Sequence, residues 1–238
     1  MRKRPLADPI SLARALAAAS ACSLALACAS PPRPEISYRF FVAAEPGDVW
    51  FDKVRQWQER EVAENPAELR RSTEPDEDSG LLREKFRAFA DEERRELARR
   101  FVAWAQDQAM QHYRFDDRQD LEGDDWPTTR DLFERNGDDC DGIDLISYNL
   151  MLDLGFPEDE IYRAVIRRDH DGEFHMVTLW FEDAEDPWVI DTTGAMTLAM
   201  RRLSEFPGWT PAVIFNANAH YTVRKLETIR VTRTAHAR

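Results

Sequence analysis

The sequence predicts an α+β fold in which a helical N-terminal half precedes an antiparallel sheet. Apolar residues recur at helical intervals through the first two thirds of the chain, and strand-like runs follow from Ile161 onward. Between two of these runs lies the dipeptide Asp171-Gly172, which predicts a tight hairpin joining antiparallel strands. Helices grouped ahead of strands are typical of the α+β class.

Four helices are expected, over residues 48–63, residues 81–113, a short stretch that starts near Thr128, and residues 139–154. The second is predicted as one long amphipathic helix, and its aromatic stripe, which includes Phe86 and Trp104, is assigned to the core. Gly155 and Pro157 end the fourth helix in the order expected of a helix C-terminus.

Strands are expected over residues 161–168, 174–181, 188–191 and 221–231, with a further apolar run at 212–215. His175 would begin one strand and Asp191 would end the next. Antiparallel pairing of those two strands would bring both residues to the same end of the sheet.

Domain organisation follows from length and composition. The 238 residues suffice for one domain with a sizeable core, and 43% hydrophobic and 11% aromatic residues are a globular composition. We place a signal peptide at residues 1–28, a tether at 29–45 and a single domain at 46–238, whose helical N-terminal part covers 46–115. The net charge of −13 excludes a nucleic-acid partner, which would require a basic surface.

The N-terminus predicts an exported protein, in the periplasm or anchored to the outer membrane as a lipoprotein. Arg2-Lys3-Arg4 precedes the apolar run Leu16 to Ala27, which is too short to span a bilayer. The stretch Ala25 to Cys28 is an imperfect lipobox with Cys28 as the lipidated residue, whereas Ala27-Cys28-Ala29 also suits an ordinary signal peptidase. The proline-rich tract from Pro31 to Pro34 favours a tethered lipoprotein.

The residues that point to chemistry are Cys140, His175 and Asp191. Cys140 is the only cysteine after the N-terminal apolar segment, and it starts a predicted helix. A helix N-terminus favours a thiolate, a histidine can act as its base, and an aspartate can orient that histidine. A thiol, a base and an orienting acid are the composition of a cysteine hydrolase or acyl transferase. The N–H of Cys140 would be available to an oxyanion.

The acidic residues around the thiol work against its ionisation. Asp138, Asp139, Asp141 and Asp144 are close to Cys140 in sequence. Each charge at about 5 Å costs the thiolate on the order of 3 kcal/mol at an effective dielectric near 20, whereas the helix dipole returns only about 0.3–1 kcal/mol. These carboxylates must therefore cap backbone N–H groups, be solvated, or be neutralised by a cation.

Calcium is the candidate cation, with Asp139 and Asp141 as its ligands, and the alternative is a helix cap with solvated carboxylates. The EF-hand pattern does not fit, because aligning Asp139 and Asp141 with it places Tyr148 where a glutamate is needed. The triad itself requires no cofactor.

Three segments resemble motifs of the transglutaminase-like superfamily, which has a papain-like core: Gly137-Asp138-Asp139-Cys140, His175-Met176-Val177 and Trp188 to Thr193. In addition, Trp126-Pro127-Thr128-Thr129 is similar to a stretch before the cysteine of bacterial transglutaminase-like cysteine proteinases. The resemblance covers about residues 113–193. It implies Cys140, His175 and Asp191 as catalytic residues. Members of this group are periplasmic, and some cleave surface adhesins under calcium control.

The motif departs from the bacterial proteinases at three places. Asp138 is an extra acidic residue, Gly142 stands where a second acid is usual, and Ile143 stands where an aromatic residue is usual. Asp139 and Asp141 still match the positions that the resemblance implies as calcium ligands. For this reason the adhesin-protease activity and the calcium dependence do not follow from the resemblance.

The expected function is an exported, thiol-dependent amide hydrolase, most plausibly a cysteine peptidase that forms an acyl-enzyme on Cys140. Its partner would be a peptide or protein substrate, and the oligomeric state is open. Trp126 is expected either to flank the substrate or to pack in the core. The alternatives are a transglutaminase or deamidase with the same triad, and a non-catalytic envelope binding module on the same fold.

Overall fold

One antiparallel sheet, with strand order β1-β7-β6-β2-β3-β4-β5, is the centre of the part of the protein that the structure describes. The structure is a computed structural model, and it describes residues 37–64, 84–115 and 125–226. The strands are β1 (Ser37–Ala43), β2 (Ile161–Arg168), β3 (Phe174–Trp180), β4 (Trp188–Ile190), β5 (Arg201–Arg202), β6 (Trp209–Phe215) and β7 (His220–Leu226).

The helices come between β1 and β2 in the chain. They are α1 (Val49–Glu64), α2 (Asp91–Ala109), α3 (Thr129–Arg135) and α4 (Cys140–Asp153), and a short 3₁₀ helix, Leu203–Glu205, follows β5. This arrangement confirms the predicted α+β class and the predicted order of helices before sheet.

The two faces of the sheet carry two different apolar clusters, because successive strand residues point to opposite faces. In β3, Met176 and Trp180 pack against helix residues, whereas Val177 and Leu179 belong to the opposite face. The helical face receives α4 through residues such as Leu145. Helix α4 therefore lies directly against the strands that carry the candidate site.

The C-terminal end of α4 is formed as its sequence predicts. Gly155 adopts a left-handed φ of 97°. Its N–H donates to Leu152 O at 3.0 Å, and the N–H of Phe156 donates to Met151 O at 3.1 Å. This is the pattern of a Schellman cap, which satisfies the last carbonyls of the helix.

The prediction of one continuous helix over residues 81–113 is wrong. Residues 84–88 are helical, the helix stops at Phe89, and α2 starts at Asp91 after an extended Ala90 with ψ of 155°. The carboxylate of Glu93 accepts the N–H of Ala90 at 2.8 Å, which gives α2 an N-terminus of its own. The aromatic stripe also divides, since Phe86 is buried and Trp104 is 54% exposed.

The predicted tether over residues 29–45 is also wrong at its C-terminal end. Ser37–Ala43 forms β1, which pairs with β7 and covers that edge of the sheet. Tyr38 and Phe40 alternate inward and are buried, which is a strand pattern that the tether prediction overlooked.

Several predictions fall outside the described residues. They are the signal peptide, Cys28, the rest of the tether and the last residues of the final strand. Within the described ranges, no helix is long and apolar enough to cross a membrane.

Candidate active site

Cys140 is the first residue of α4, as the sequence predicts, and the acidic residues around it accept neighbouring backbone N–H groups. Asp138 accepts the N–H of Asp139 at 3.0 Å, and Asp139 accepts the N–H of Asp141 at 3.4 Å. Asp141 accepts the N–H of Gly142 at 2.7 Å. None of these three bonds uses the N–H of Cys140, which points out of the first helical turn.

The sulfur of Cys140 lies beside an open edge of β3. Strand β4 pairs with β3 only from Thr178 to Trp180, so β3 has no neighbour on that side at Met176. There the N–H of Met176, the residue after His175, donates a hydrogen bond to the Cys140 sulfur. The end of β4 thus makes room for the thiol next to the strand that bears the histidine.

His175 and Asp191 form a buried pair. Nε2 of His175 lies 3.1 Å from Oδ1 of Asp191, and both side chains are almost fully buried. The contact exists because β3 and β4 pair antiparallel, with His175 near the start of one strand and Asp191 just after the end of the other. A carboxylate in this position orients the imidazole and stabilises its cation.

A loop after β4 holds the Asp191 carboxylate in place. Oδ1 accepts the N–H groups of Thr193 and Gly194, and Oδ2 accepts those of Met196 and Thr197. Burial acts to raise the pKa of Asp191, but the hydrogen bond and charge of His175 and the backbone N–H groups outweigh it, so the pKa lies below its ordinary value. Asp191 is therefore a carboxylate at neutral pH.

Gln106 of α2 fixes this loop from the helical side, and sequence reasoning missed it. Its Nε2 donates to Asp191 O at 2.8 Å and to Thr197 O at 3.0 Å. In the sequence, Gln106 is an ordinary polar residue of an amphipathic helix, so no local signal distinguishes it.

The thiol is held in its neutral form in this structure. Burial raises the pKa of Cys140 well above its ordinary value, and the charges of Asp141 and Asp139 raise it further. The hydrogen bond from Met176 opposes this shift. The effect of these carboxylates is predicted by the sequence, whereas the contribution of burial is not.

Asp144, one turn into α4, is neutralised by a cation of the protein itself. Arg163 of β2 donates from Nε to Asp144 at 2.8 Å and from Nη2 to the backbone oxygen of Asp141 at 2.6 Å. Thr178 of β3 donates to the other oxygen of Asp144 at 2.7 Å. The guanidinium of Arg163 also lies 4.9 Å from the ring of Trp57. This buried network fixes the first turn of α4 against the sheet.

The other three carboxylates form a cluster. One oxygen each of Asp138, Asp139 and Asp141 lies within 4.8 Å of the others. A Cβ at Gly142 would lie 2.3 Å from Cβ of Asp138 and 2.5 Å from a methyl group of Leu132. Asp138 and Gly142, two of the departures from the bacterial proteinase motif, are therefore linked, because Asp138 takes up the space that a side chain at position 142 would need.

Trp126 packs in the core and also borders the cleft. Its ring stacks on Trp50 at 6.1 Å and on Phe215 at 5.2 Å between centroids. Just after it, the buried carboxylate of Glu61 accepts the N–H and hydroxyl of Thr129 at 2.8 and 2.6 Å. These contacts anchor the Trp-Pro-Thr-Thr stretch to α1.

A cleft of about 600 Å³ runs past the thiol. Cys140, His175 and Asp141 line it together with aromatic residues, namely Trp50, Tyr113, Phe115, Trp126, Phe174 and Trp209. Burial raises the pKa of Tyr113, and the neighbouring charges of Cys140, Asp139 and Asp141 add to this shift.

Comparison with known proteins gives a likeness in structure only. No protein-family model matches the chain, and no curated protein matches it. Three solved structures of Legionella pneumophila LapG, one of them EGTA-treated and one calcium-bound, are similar to it at 16% identity and a TM-score of 0.44. Each match covers 60% of this chain. The matched part is 85% of the first LapG chain, 84% of the EGTA-treated chain and 87% of the calcium-bound chain. At this identity the likeness is one of fold and assigns no activity.

Proposed function

We propose that the protein is an exported, thiol-dependent amide hydrolase, and specifically a cysteine peptidase that acts through an acyl-enzyme on Cys140. The observation that carries this proposal is the contact of His175 with buried Asp191, because His175 lines the same cleft as a cysteine at a helix N-terminus. The nucleic-acid class stays excluded by the charge of −13, and a peptide or protein segment is the partner we propose.

In the proposed reaction, His175 takes the proton of the Cys140 thiol, and the thiolate attacks the carbonyl carbon of an amide. A C–S bond forms, the C–N bond breaks, and the imidazolium gives its proton to the departing amine. Water then attacks the thioester with His175 as base, the C–S bond breaks, and the carboxylic acid and free thiol are released. Asp191 stabilises the imidazolium in both halves of the cycle.

Transfer to an amine, and deamidation, use the same acyl-enzyme and remain the alternatives within this chemistry. The acceptor decides between them. Mass spectrometry of products formed from a peptide mixture, with and without an added primary amine, measures the partition. We expect new peptide termini as the main product, and amine adducts as the main product would instead assign a transglutaminase.

The carboxylate cluster fits a calcium ion. Asp138, Asp139 and Asp141 each offer one oxygen in a compact group, and hard oxygen donors are what calcium binds. When bound, the ion would supply positive charge beside the thiol, opposing the carboxylates that raise its pKa. We propose Asp139 and Asp141 as ligands, joined by Asp138.

Calcium binding can be tested without any substrate. We expect calcium, but not magnesium at the same concentration, to raise the thermal midpoint of the mature protein, because an ion that binds only the folded state stabilises it. The double variant Asp139→Asn/Asp141→Asn should show no rise in thermal midpoint with calcium. Asp171→Asn, which changes an exposed acid in a hairpin, should retain it.

One observation favours the competing proposal, a non-catalytic binding module on this fold. The pKa of the half-buried, acid-flanked Cys140 thiol is raised in this structure, so the thiol is not activated. A binding module would keep its physiological effect in Cys140→Ala, whereas the enzyme would lose it.

The direct test of the enzyme is the rate of Cys140 alkylation against pH in the mature protein, with calcium, and in His175→Ala. We expect a reactive thiol whose apparent pKa rises in His175→Ala, because the imidazolium no longer stabilises the thiolate. A thiol that is equally slow in both proteins at every pH would refute the thiol–imidazole pair.

Export and the lipid anchor on Cys28 are part of the proposal and rest on the N-terminal sequence. Mass spectrometry of the mature N-terminus tests them. A diacylglyceryl-modified Cys28 is the expected result, and an unmodified N-terminus at Ser30, after the Ala27-Cys28-Ala29 site, would assign an ordinary signal peptide.

A further inference from the structure

A short extended segment, residues 112–114, is fixed against the loop that leads to Cys140. Tyr113 forms a parallel β-bridge with Asp138. The N–H of Arg114 donates to Asp138 O at 2.8 Å, and its guanidinium donates to Asn136 O at 3.3 Å. Tyr113 is therefore paired with Asp138, which precedes Cys140 by two positions in the sequence.

Gly137 makes this approach possible. It has a φ of 133°, and a Cβ there would lie 2.1 Å from the backbone oxygen of His112. Only a residue without a side chain allows the two segments to come this close. The glycine immediately before Asp138-Asp139-Cys140 therefore allows the close approach of Gly137 to His112.

The phenol of Tyr113 lies in the cleft beside the thiol. Tyr113 lines the cleft together with Cys140, is half-buried, and interacts electrostatically with Cys140, Asp139 and Asp141. A phenol has an ordinary pKa near 10, so it is a hydrogen-bond donor at neutral pH.

Two polar side chains on the cleft wall are engaged elsewhere. The hydroxyl of Thr193 donates to Asp191 at 3.0 Å. The guanidinium of Arg168 pairs with Asp171 and Glu173. Tyr113 carries a hydroxyl donor and lines the cleft together with Cys140.

We infer that the phenolic O–H of Tyr113 is the side-chain donor that stabilises the oxyanion formed when Cys140 attacks a carbonyl, alongside the N–H of Cys140. This role rests on the proposed acyl-enzyme function and deepens it. The phenol donates to the substrate oxygen as negative charge develops there, and it donates again when water attacks the thioester.

The test compares two reactions of the same thiol. Acylation by p-nitrophenyl acetate passes through a tetrahedral oxyanion, whereas alkylation by iodoacetamide displaces iodide at carbon and forms none. We expect Tyr113→Phe to lower the acylation rate constant about 100-fold, the typical effect of removing one oxyanion donor. The alkylation rate at the same pH should stay within about twofold of wild type, since a phenol-to-phenyl change leaves the thiol in place.

The matched control is Tyr221→Phe. Tyr221 is also a tyrosine, but it packs on the sheet against Phe41 and Tyr162 and does not line the cleft. Its rates should equal those of wild type in both reactions. Urea unfolding of both variants shows whether the fold is intact.

Three outcomes would overturn the inference in distinguishable ways. Unchanged acylation in Tyr113→Phe removes the donor role and leaves the proposed function standing. A parallel fall in acylation and alkylation assigns Tyr113 to the structure around the thiol. A wild-type protein that alkylates but never acylates refutes the proposed function, and the donor role with it.

Discussion

At the residue scale, Asp191 shows how a buried carboxylate is kept ionised. Four backbone N–H groups and the imidazole of His175 converge on its two oxygens. Each replaces a hydrogen bond to water that burial removed. The loop is therefore organised around the charge of this residue.

The depressed pKa of Asp191 predicts a pH dependence of stability. Because the folded pKa is below the unfolded value near 3.9, the stabilisation is complete above that value and is lost as the pH falls through the folded pKa. Urea unfolding from pH 2 to 7 should show this loss in wild type, by about 1.4 kcal/mol for each unit of pKa depression.

Asp191→Asn is the comparison for that experiment. Its free energy of unfolding should be lower than that of wild type at pH 7, and the difference should shrink with acidification. A difference that stays constant down to pH 2 would contradict an ionised Asp191.

Arg163 illustrates the cost of a buried charge pair. Its guanidinium is fully buried between Trp57 and Phe215 and bonded to Asp144. Arg163→Met leaves the Asp144 carboxylate buried without its cation, so we expect a loss of about 3–5 kcal/mol in the free energy of unfolding, measured with urea.

The double variant Arg163→Met with Asp144→Leu removes both charges and should recover most of that loss. If the double variant is no more stable than Arg163→Met, the unpaired Asp144 carboxylate is not the cause of the loss in stability. Arg163 stands in a strand sequence with no sign of a partner, so sequence reasoning could not have found it.

At the element scale, the start of α4 is held from two sides, by the sheet through Arg163 and by residues 112–114 through Gly137. Gly137→Ala should push residues 112–114 away from the loop, because its Cβ would overlap His112 O. We expect a loss of about 3 kcal/mol or more in urea unfolding, from the left-handed strain and the overlap together.

Gly172→Ala separates these two causes. Gly172 also has a positive φ, of 82°, but its Cβ would meet nothing within 4 Å. Gly172→Ala should therefore lower the free energy of unfolding by the backbone strain alone, about 1–2 kcal/mol. Equal losses in the two variants would mean that the close approach at Gly137 does not matter.

The elements that sequence reasoning predicted well are those with a local signal. The cap at Asp139, the Gly155 terminus and the Asp171-Gly172 hairpin depend on residues adjacent in sequence. The break at Ala90 was not predicted, because apolar residues recur at helical intervals on both sides of it. The three acidic residues Asp91, Glu92 and Glu93 favour the helix start that the structure shows there.

At the scale of the whole molecule, contacts between distant segments were the part that sequence could not supply. The bond from Gln106 to Asp191 spans 85 residues, and the bridge from Tyr113 to Asp138 joins two segments with no regular pattern. Composition and periodicity report which face is buried, but not which polar residue meets which backbone group.

The N-terminal strand β1 leads to a prediction about the extent of the domain. A mature chain that begins at Ile36 should unfold at the same urea concentration as one that begins at Ala29. A chain that begins at Glu45 lacks Tyr38 and Phe40, which are buried, and should lose about 3–6 kcal/mol from their burial. Equal stability of all three chains would mean that residues 37–45 do not contribute to the folded domain and belong to the tether.

Helix α2 and the turn that follows it lead to both parts of the candidate site. Gln106, in the last turn of the helix, donates to the loop that holds Asp191, and Tyr113, seven residues later, lines the cleft with Cys140. A displacement of this helix would therefore move the Asp191 loop and the Tyr113 side chain together. The exposed side of α2, where Trp104 faces solvent, is thus mechanically connected to the candidate site.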